Sequence, residues 1–291
     1  MIRRDQYWMD PAYVEQLRMA GLGSMDAALT RHDGRVCAWS RTTDTVYLPS
    51  PQRERPGVFL KRYLYPTWRN RLRGTFRGTF FGRHRAAAEA ALLDEMRTLG
   101  IPAVRPIACG ARRIAHFVAS CVLITEEVPG ACNLTTFATE VAAGRRKLAR
   151  DERRTLIRCF ADSIATLHDS GFSHGQLYWR NILIQETAIG EYAFYFLDAR
   201  PRGSRRLAGS AVTCIEELGH LLASAMPFTT SHEQIRFLAH YATQRELRLE
   251  SDDRRRVQEL AARKQAHELQ RIKMNERFEA WNAALVAEGR R

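Results

Sequence analysis

No apolar run in the sequence approaches the roughly 18 residues that a membrane-crossing helix needs. The opening stretch, MIRRDQYWMDPAYVEQL, lacks the apolar centre of a secretory leader. The six cysteines, Cys37, Cys109, Cys121, Cys132, Cys159 and Cys214, are scattered and never form a C-x-x-C pair. That argues against a zinc site or a disulfide framework and points to a reducing cytosol. Lysine is scarce: Lys61, Lys147, Lys264 and Lys273 are the whole supply, so nearly all basic charge is arginine. Segment 55–88 has no acidic residue. No G-x-G-x-x-G loop is present, and we find no internal repeat or low-complexity linker.

What is present fits one two-lobed domain or two small ones. The chain has 291 residues, an ordinary apolar fraction of 45%, and a formal net charge of +13. Such a balance favours acidic partners: nucleic acid, anionic lipid or phosphorylated substrates.

The N-terminal half reads as a small antiparallel sheet with helices. Residues 12–29 suggest one or two short helices broken around Gly21 and Gly23. Strands are expected at 36–39, 45–48 and 58–64, with a proline-rich loop over 49–57. Lys61 lies inside VFLKRYL, where alternation puts it on the face opposite Leu60. The spacing predicts a helix over 84–99, stopped by Gly100 and Pro102. Glu89 shares its apolar face with Leu92, Leu93 and Met96, and an acid there asks for a partner. Lys61 is the candidate; a solvated Glu at the helix edge is the alternative. Strands at 104–108 and 117–125 lead to a link, Glu126-Glu127-Val128-Pro129-Gly130.

The second half reads as mainly helical. Leu156, Ile157, Phe160, Ile164 and Leu167 repeat at helical spacing over 152–170. Further helices are expected at 212–225 and 232–246. The charged tail 252–287 reads as a helix or helix pair, with Val257, Leu260, His267, Leu269 and Ile272 as an irregular apolar stripe. Between them, GFSHGQLYWRNILIQETAIGEYAFYFLDAR at 171–200 reads as a polar loop and a hairpin. The hairpin's open ends bring Asn181 and Asp198 to face one another. An amide oxygen and a carboxylate are hard ligands of the kind Mg²⁺ accepts beside a nucleotide's phosphates.

The loop resembles the protein-kinase catalytic loop, H-x-D, four residues, N; here it reads His174-Gly175-Gln176, four residues, Asn181. The order strand Lys, helix Glu, link, long helix, loop and Asp198 also follows the kinase order. More specifically, the sequence resembles the Kdo/WaaP family of lipopolysaccharide kinases. The residues that carry this are AGLGSMDAAL at 20–29, VFLKRY at 58–63, AAAEAALLDEMRTLGIPAVRPIACG at 86–110 and LITEEVPG at 123–130. LHDSGFSHGQLYWRNILI at 167–184, FLDARPR at 196–202 and IRFLAHY at 235–241 complete the set.

The resemblance implies an α+β, two-lobed protein-kinase-like fold, with an antiparallel-sheet N-lobe over 1–127 and a mainly helical C-lobe over 128–291. It implies ATP and Mg²⁺ as cofactors. Lys61 would hold the α/β-phosphates and pair with Glu89, Asn181 and Asp198 would bind the metal, and Glu126 to Val128 would offer backbone groups to adenine. In place of a glycine-rich loop, the turn SRTTDT offers the hydroxyls of Ser40, Thr42 and Thr43. The implied reaction moves the γ-phosphoryl group to a sugar of the lipopolysaccharide core, at the cytosolic face of the inner membrane.

Three positions in these motifs depart from the kinase pattern. Gln176 stands at the base position, and an amide cannot usefully accept a proton. Ala199-Arg200 replaces the Phe-Gly that follows the metal-binding Asp. Three readings stay open: an unusual kinase with Gln176 orienting the hydroxyl, a pseudokinase that binds nucleotide or lipid, and a basic nucleic-acid- or lipid-binding protein. Within 55–88, arginines at 62, 69, 71, 73, 77, 83 and 85 alternate with Tyr63, Tyr65, Trp68, Phe76, Phe80 and Phe81. That mixture suits an anionic membrane surface or lipopolysaccharide, and also a single-stranded nucleic acid by stacking; the alternative is a long strand-to-helix insertion whose aromatics pack on the small lobe. The family resemblance favours the first.

Overall fold

The computed structural model describes residues 3–31, 33–40, 42–52, 54–67, 83–188, 190–200 and 211–287. The chain divides into two compact units, one of 1–94, 104–129 and 274–291, the other of 95–103 and 130–273.

The first unit carries a six-stranded antiparallel sheet in the order β1-β5-β6-β4-β3-β2. Its strands are β1 (Arg3–Met9), β2 (Arg35–Ser40), β3 (Thr43–Leu48), β4 (Val58–Leu64), β5 (Pro106–Ile114) and β6 (Phe117–Glu126). β1 is an edge strand that the sequence reading did not anticipate. Its residues RRDQYWM are mostly exposed, so no apolar alternation announces it. It docks beside Gly110, where a Cβ would come within 2.6 Å of the Gln6 carbonyl. β5 starts two residues later than expected and runs on to Ile114, closing a hairpin with β6 through Ala115 and His116 at φ 48° and 70°. Positive φ at both central residues suits the twist of a two-residue hairpin turn.

Between β1 and β2 lie α1 (Val14–Met19) and α2 (Met25–Thr30). The Ser24 hydroxyl caps α2 by accepting from the Ala27 amide at 3.2 Å. Leu17, Leu22 and Met25 from this segment cover one sheet face, packing with Leu60, Val122 and Ile124. On the same face Arg62 is buried and fully engaged. It pairs twice with Asp44, at 2.8 and 3.0 Å, and donates to the carbonyls of Leu29 and Arg31. The alternate residues Lys61 and Tyr63 therefore point to the other face. α3 (Arg85–Thr98) follows β4 in the described chain and ends at Gly100, whose φ of 75° favours glycine.

In the second unit the Pro102 carbonyl accepts from the Phe196 amide at 3.0 Å, tying the segment after α3 to a small sheet, β7-β8-β9. That sheet comprises β7 (Cys132–Asn133), β8 (Ile182–Ala188) and β9 (Glu191–Phe196). The helices are α4 (Leu134–Ala142), α5 (Arg150–Asp169), α6 (Ala211–Ala225), α7 (Ser231–Gln244) and α8 (Ser251–Ala287). α4 went unread in the sequence; Asn133 caps it, accepting from the Thr136 amide at 2.9 Å. Thr230 and Glu233 form a reciprocal capping box on α7. Phe160 of α5 anchors the core, with ring centroids 4.9 Å from Phe194 and 5.5 Å from Phe237.

The tail is one helix of 37 residues rather than a pair. Its inward stripe also differs from the expected one. Val257, Ala261 and Glu268 are buried, while His267 and Leu269 are exposed. Among the described residues, no helix is long and apolar enough to cross a membrane. The residues 68–82, which hold most of the arginine–aromatic stretch, lie outside the described residues.

Candidate nucleotide and phosphoryl-transfer site

In the first unit, Lys61 of β4 and Glu89 of α3 form an ion pair, Nζ to Oε1 2.7 Å, with side chains 16% and 7% exposed. The second carboxylate oxygen, Oε2, accepts a short hydrogen bond from the Tyr63 hydroxyl. Tyr63 is wholly buried, two residues beyond Lys61 on the same strand face. Its ring also lies under two cations, Lys61 at 5.4 Å and Arg85 at 4.3 Å from the centroid. Tyr63 therefore fixes Glu89, and Glu89 fixes Lys61. The sequence reading missed Tyr63, although its place at i+2 from Lys61 was a usable signal.

The link after β6 is also held. The Glu126 amide donates to the Arg105 carbonyl and the Glu127 amide to the Gly57 carbonyl, both at 2.9 Å. The Glu126 carboxylate accepts from the Tyr13 hydroxyl at 2.8 Å. The Glu127 carboxylate accepts from the Gly57 amide at 2.7 Å and the Tyr47 hydroxyl at 3.0 Å. Within Glu126–Val128, the Val128 amide is the one N–H without a partner among the described residues, so it is open to a ligand. At the β2–β3 turn, Thr42 is tied down by its carbonyl, which accepts from the Leu64 amide at 2.9 Å; Arg41 lies outside the described residues.

In the second unit, the loop after α5 carries His174, Gln176 and Asn181. His174 is buried between two backbone groups of opposite sense. Nε2 lies 3.0 Å from the Leu197 carbonyl, which can only accept. Nδ1 lies 3.3 Å from the Gln176 amide, which can only donate. The ring is thus the neutral Nε2–H tautomer, and burial pushes its pKa down. The Asn181 amide nitrogen donates to the Gln176 carbonyl at 2.9 Å, so Oδ1 is the side-chain atom that could serve as a ligand. The Asn181 carbonyl accepts from the Leu197 amide at 3.1 Å, just beyond the Ile182–Phe196 pair. Asn181 and Asp198 consequently stand at the same end of the β8–β9 hairpin. Asp198 adopts a left-handed φ of 58°, a conformation Asp tolerates better than most residues. Arg200 Nε is 3.9 Å from its Oδ1. The half-buried Gln176 side chain makes no hydrogen bond among the described residues.

Beneath the loop lies a buried hub centred on Glu217 of α6. Oε1 accepts from the Ser173 hydroxyl at 2.9 Å and, in a short bond, from the Gly175 amide, next to Gln176. Oε2 meets His168 Nε2 at 3.0 Å. His168 Nδ1 is 2.7 Å from the Tyr241 hydroxyl of α7. Burial alone lowers the His168 pKa, but the hydrogen bonds and charges of Cys214 and Glu217 outweigh it and hold it at about 9. Burial raises Glu217, and the facing imidazolium brings it below the usual carboxylate value. The loop thus rests on a charged His–Glu pair. Sequence reasoning missed Glu217 as well. It sits on the buried stripe of Cys214, Leu218 and Leu221, the same anomaly that singled out Glu89.

The residues fit the metal that the fold implies. An Asn oxygen and an Asp carboxylate at one hairpin end are a hard-oxygen pair, suited to Mg²⁺ when phosphate oxygens complete the shell. Among the described residues, no cluster of three His, Cys, Asp or Glu side chains forms a closed metal site. An apolar cavity of about 190 Å³ in the second unit, walled by Phe137, Leu156, Trp179 and Phe237, is a different feature. The one cation in its lining, Arg153, is already paired with Glu233, so it gives a phosphate nothing to bind.

The chain matches the model of the lipopolysaccharide kinase (Kdo/WaaP) family over residues 29–241, well over half its length. No curated protein matches it. Among solved structures it is similar to WaaP in complex with acyl carrier protein, with a TM-score of 0.53 and 17% identity. That alignment covers 94% of this chain and 99% of the other. The kinase domain of maize sucrose-induced receptor kinase 1 bound to AMP-PNP aligns with a TM-score of 0.44 and 11% identity, covering 88% and 99%. The fold is accordingly the two-lobed protein-kinase-like one, with a small antiparallel sheet in one part and a mainly helical remainder. Given the strand lysine paired to its helix glutamate, the His174 loop and the extent of the match, the chain belongs to the lipopolysaccharide kinase (Kdo/WaaP) family.

Proposed function

We propose that this protein transfers the γ-phosphoryl group of ATP to a sugar hydroxyl of the lipopolysaccharide core, acting at the cytosolic face of the inner membrane. The observation that carries the proposal is the Lys61–Glu89 pair, formed and locked by Tyr63 in a chain of this family. When bound, Mg·ATP supplies a γ-phosphoryl group whose charge the metal already partly neutralises. Lys61 holds the α/β-phosphates, and Glu89 keeps its ammonium in place. The Val128 amide and the neighbouring carbonyls of the Glu126–Val128 link take adenine. Asn181 Oδ1 and the Asp198 carboxylate hold Mg²⁺.

Gln176 orients the acceptor hydroxyl through its side-chain amide, which is uncommitted among the described residues. It does not take the proton. In a loose transition state positioning and charge stabilisation carry most of the catalysis, so the missing base slows transfer without abolishing it. The alternative is a pseudokinase that binds nucleotide or lipid, and Gln176 with Ala199 is the observation that favours it. The arginine–aromatic stretch of 55–88 is proposed to rest on the anionic membrane surface. ATP turnover on purified core oligosaccharide, with Gln176→Asp beside the native chain, tests the proposal.

A further inference from the structure

Glu268 is a buried carboxylate with no part in the chemistry above. It lies on α8, 3% exposed, although its neighbours His267 and Leu269 face solvent. Its Oε2 forms a short ion pair with Arg180 Nη1. Among the described residues its Oε1 has no hydrogen-bond partner; His267 Nδ1 lies 3.6 Å from it. A carboxylate is placed in such a position at a cost, so the pair with Arg180 must be what keeps it there.

Arg180 immediately precedes Asn181, in a 3₁₀ turn over Trp179–Asn181. Its guanidinium lies over the Tyr178 ring at 4.1 Å, and Tyr178 stacks on His220 of α6 at 4.6 Å. Trp179 stacks on Phe228 at 6.0 Å. The side chains leading into Asn181 thus pack on separate segments, Tyr178 on α6 and Trp179 on the loop after it, and Arg180 is the one paired with α8. The helix is itself firmly seated. Val257 and Ala261 are buried, and Leu260 lies so close to Gly219 of α6 that a Cβ there would stand 2.7 Å from it. The family match ends at residue 241, ahead of α8.

We propose that Glu268 is a positioning residue. Through Arg180 it fixes the 3₁₀ turn and so aims Asn181 Oδ1, making the C-terminal helix part of the machinery that presents the metal ligand. This rests on reading Asn181 as a Mg²⁺ ligand.

The test uses the full chain with Glu268→Gln, which keeps the shape and removes the charge. Val257→Ala serves as a control that loosens α8 elsewhere. Backbone hydrogen exchange of 176–182 is read first, because it does not depend on nucleotide. Calorimetric titration of ATP binding against Mg²⁺ is read second. In Glu268→Gln we expect faster exchange at the Asn181 amide and a Mg²⁺ requirement raised about tenfold, the low end for loss of an outer-shell partner. ATP binding without Mg²⁺ stays unchanged, and Val257→Ala moves neither readout. Native exchange rates in Glu268→Gln, or equal shifts in Val257→Ala, overturn the proposal. If the native chain shows no Mg²⁺-dependent ATP binding, the metal reading fails, and the exchange data alone decide whether Glu268 positions the loop.

Discussion

Glu89 accepts the Lys61 ammonium at 2.7 Å on one oxygen and the buried Tyr63 hydroxyl on the other, so the pair is held from both sides. Removing Tyr63's hydroxyl with Tyr63→Phe leaves the salt bridge but frees the carboxylate to rotate. We expect a stability loss of about 1.5–3 kcal/mol, the range for a hydrogen bond to a charged group. ATP affinity should weaken less than in Lys61→Ala. Denaturant unfolding and calorimetry check both. Equal ATP affinities in Tyr63→Phe and Lys61→Ala would contradict the division of roles.

Asp198→Ala should weaken ATP binding strongly in the presence of Mg²⁺ and much less in its absence. Calorimetry with and without the metal measures this. An effect that is the same in both conditions would show that Asp198 acts on structure rather than through the metal.

The His168–Glu217 pair gives stability a pH dependence. His168 has an ordinary value of 6.5 and is held at about 9 when folded, so the folded state binds more protons between them. Its contribution is complete below about pH 6.5 and is lost as pH rises through 9. Cys214 of α6 faces the same cluster. Burial raises its thiol, but His168 and Arg245 bring it down, so it opposes the trend at the upper end. Tyr241 of α7, Arg245 just beyond it and Asp169 of α5 also face the cluster. Glu217→Gln should flatten the fall between pH 6.5 and 9, measured by denaturant unfolding. A variant with the native slope would remove this account of the hub.

Membrane association should appear as binding to anionic vesicles that falls as salt rises, because exposed charges are screened over about 8–10 Å at physiological ionic strength. Replacing Arg69, Arg71, Arg73 and Arg77 with Gln should reduce it. Unchanged partitioning would place the charge effect elsewhere.

The sequence made some of this legible and hid the rest for physical reasons. Glu89 stood out because an acid on an apolar helix face needs a partner, and the lone strand lysine supplied it. The hairpin ends of β8 and β9 were readable from two short apolar runs, 182–184 and 192–197, and the turn near Gly190. β1 was not, because an edge strand with exposed polar residues leaves no periodic trace. Glu217 and Glu268 sit on the buried stripes of α6 and α8, but each lies beside an exposed acid or polar neighbour. Only the packing of helices distant in sequence reveals which of the pair turns inward. Arg180 likewise reads as a solvated loop arginine until α8 brings its carboxylate 88 residues later.

The most direct test of the central claim is phosphoryl transfer from Mg·ATP to purified lipopolysaccharide core by the native chain, Gln176→Asp and Gln176→Ala side by side. Gln176 faces the acceptor in this account, so ATP affinity should change little across the three. Native turnover should be present and slow. Gln176→Asp should raise it, by up to the roughly 10²–10⁴-fold range of general-base catalysis, and Gln176→Ala should lower it. No transfer by any of the three to several core acceptors, with Mg·ATP binding intact, would contradict the kinase account and leave a nucleotide-binding pseudokinase.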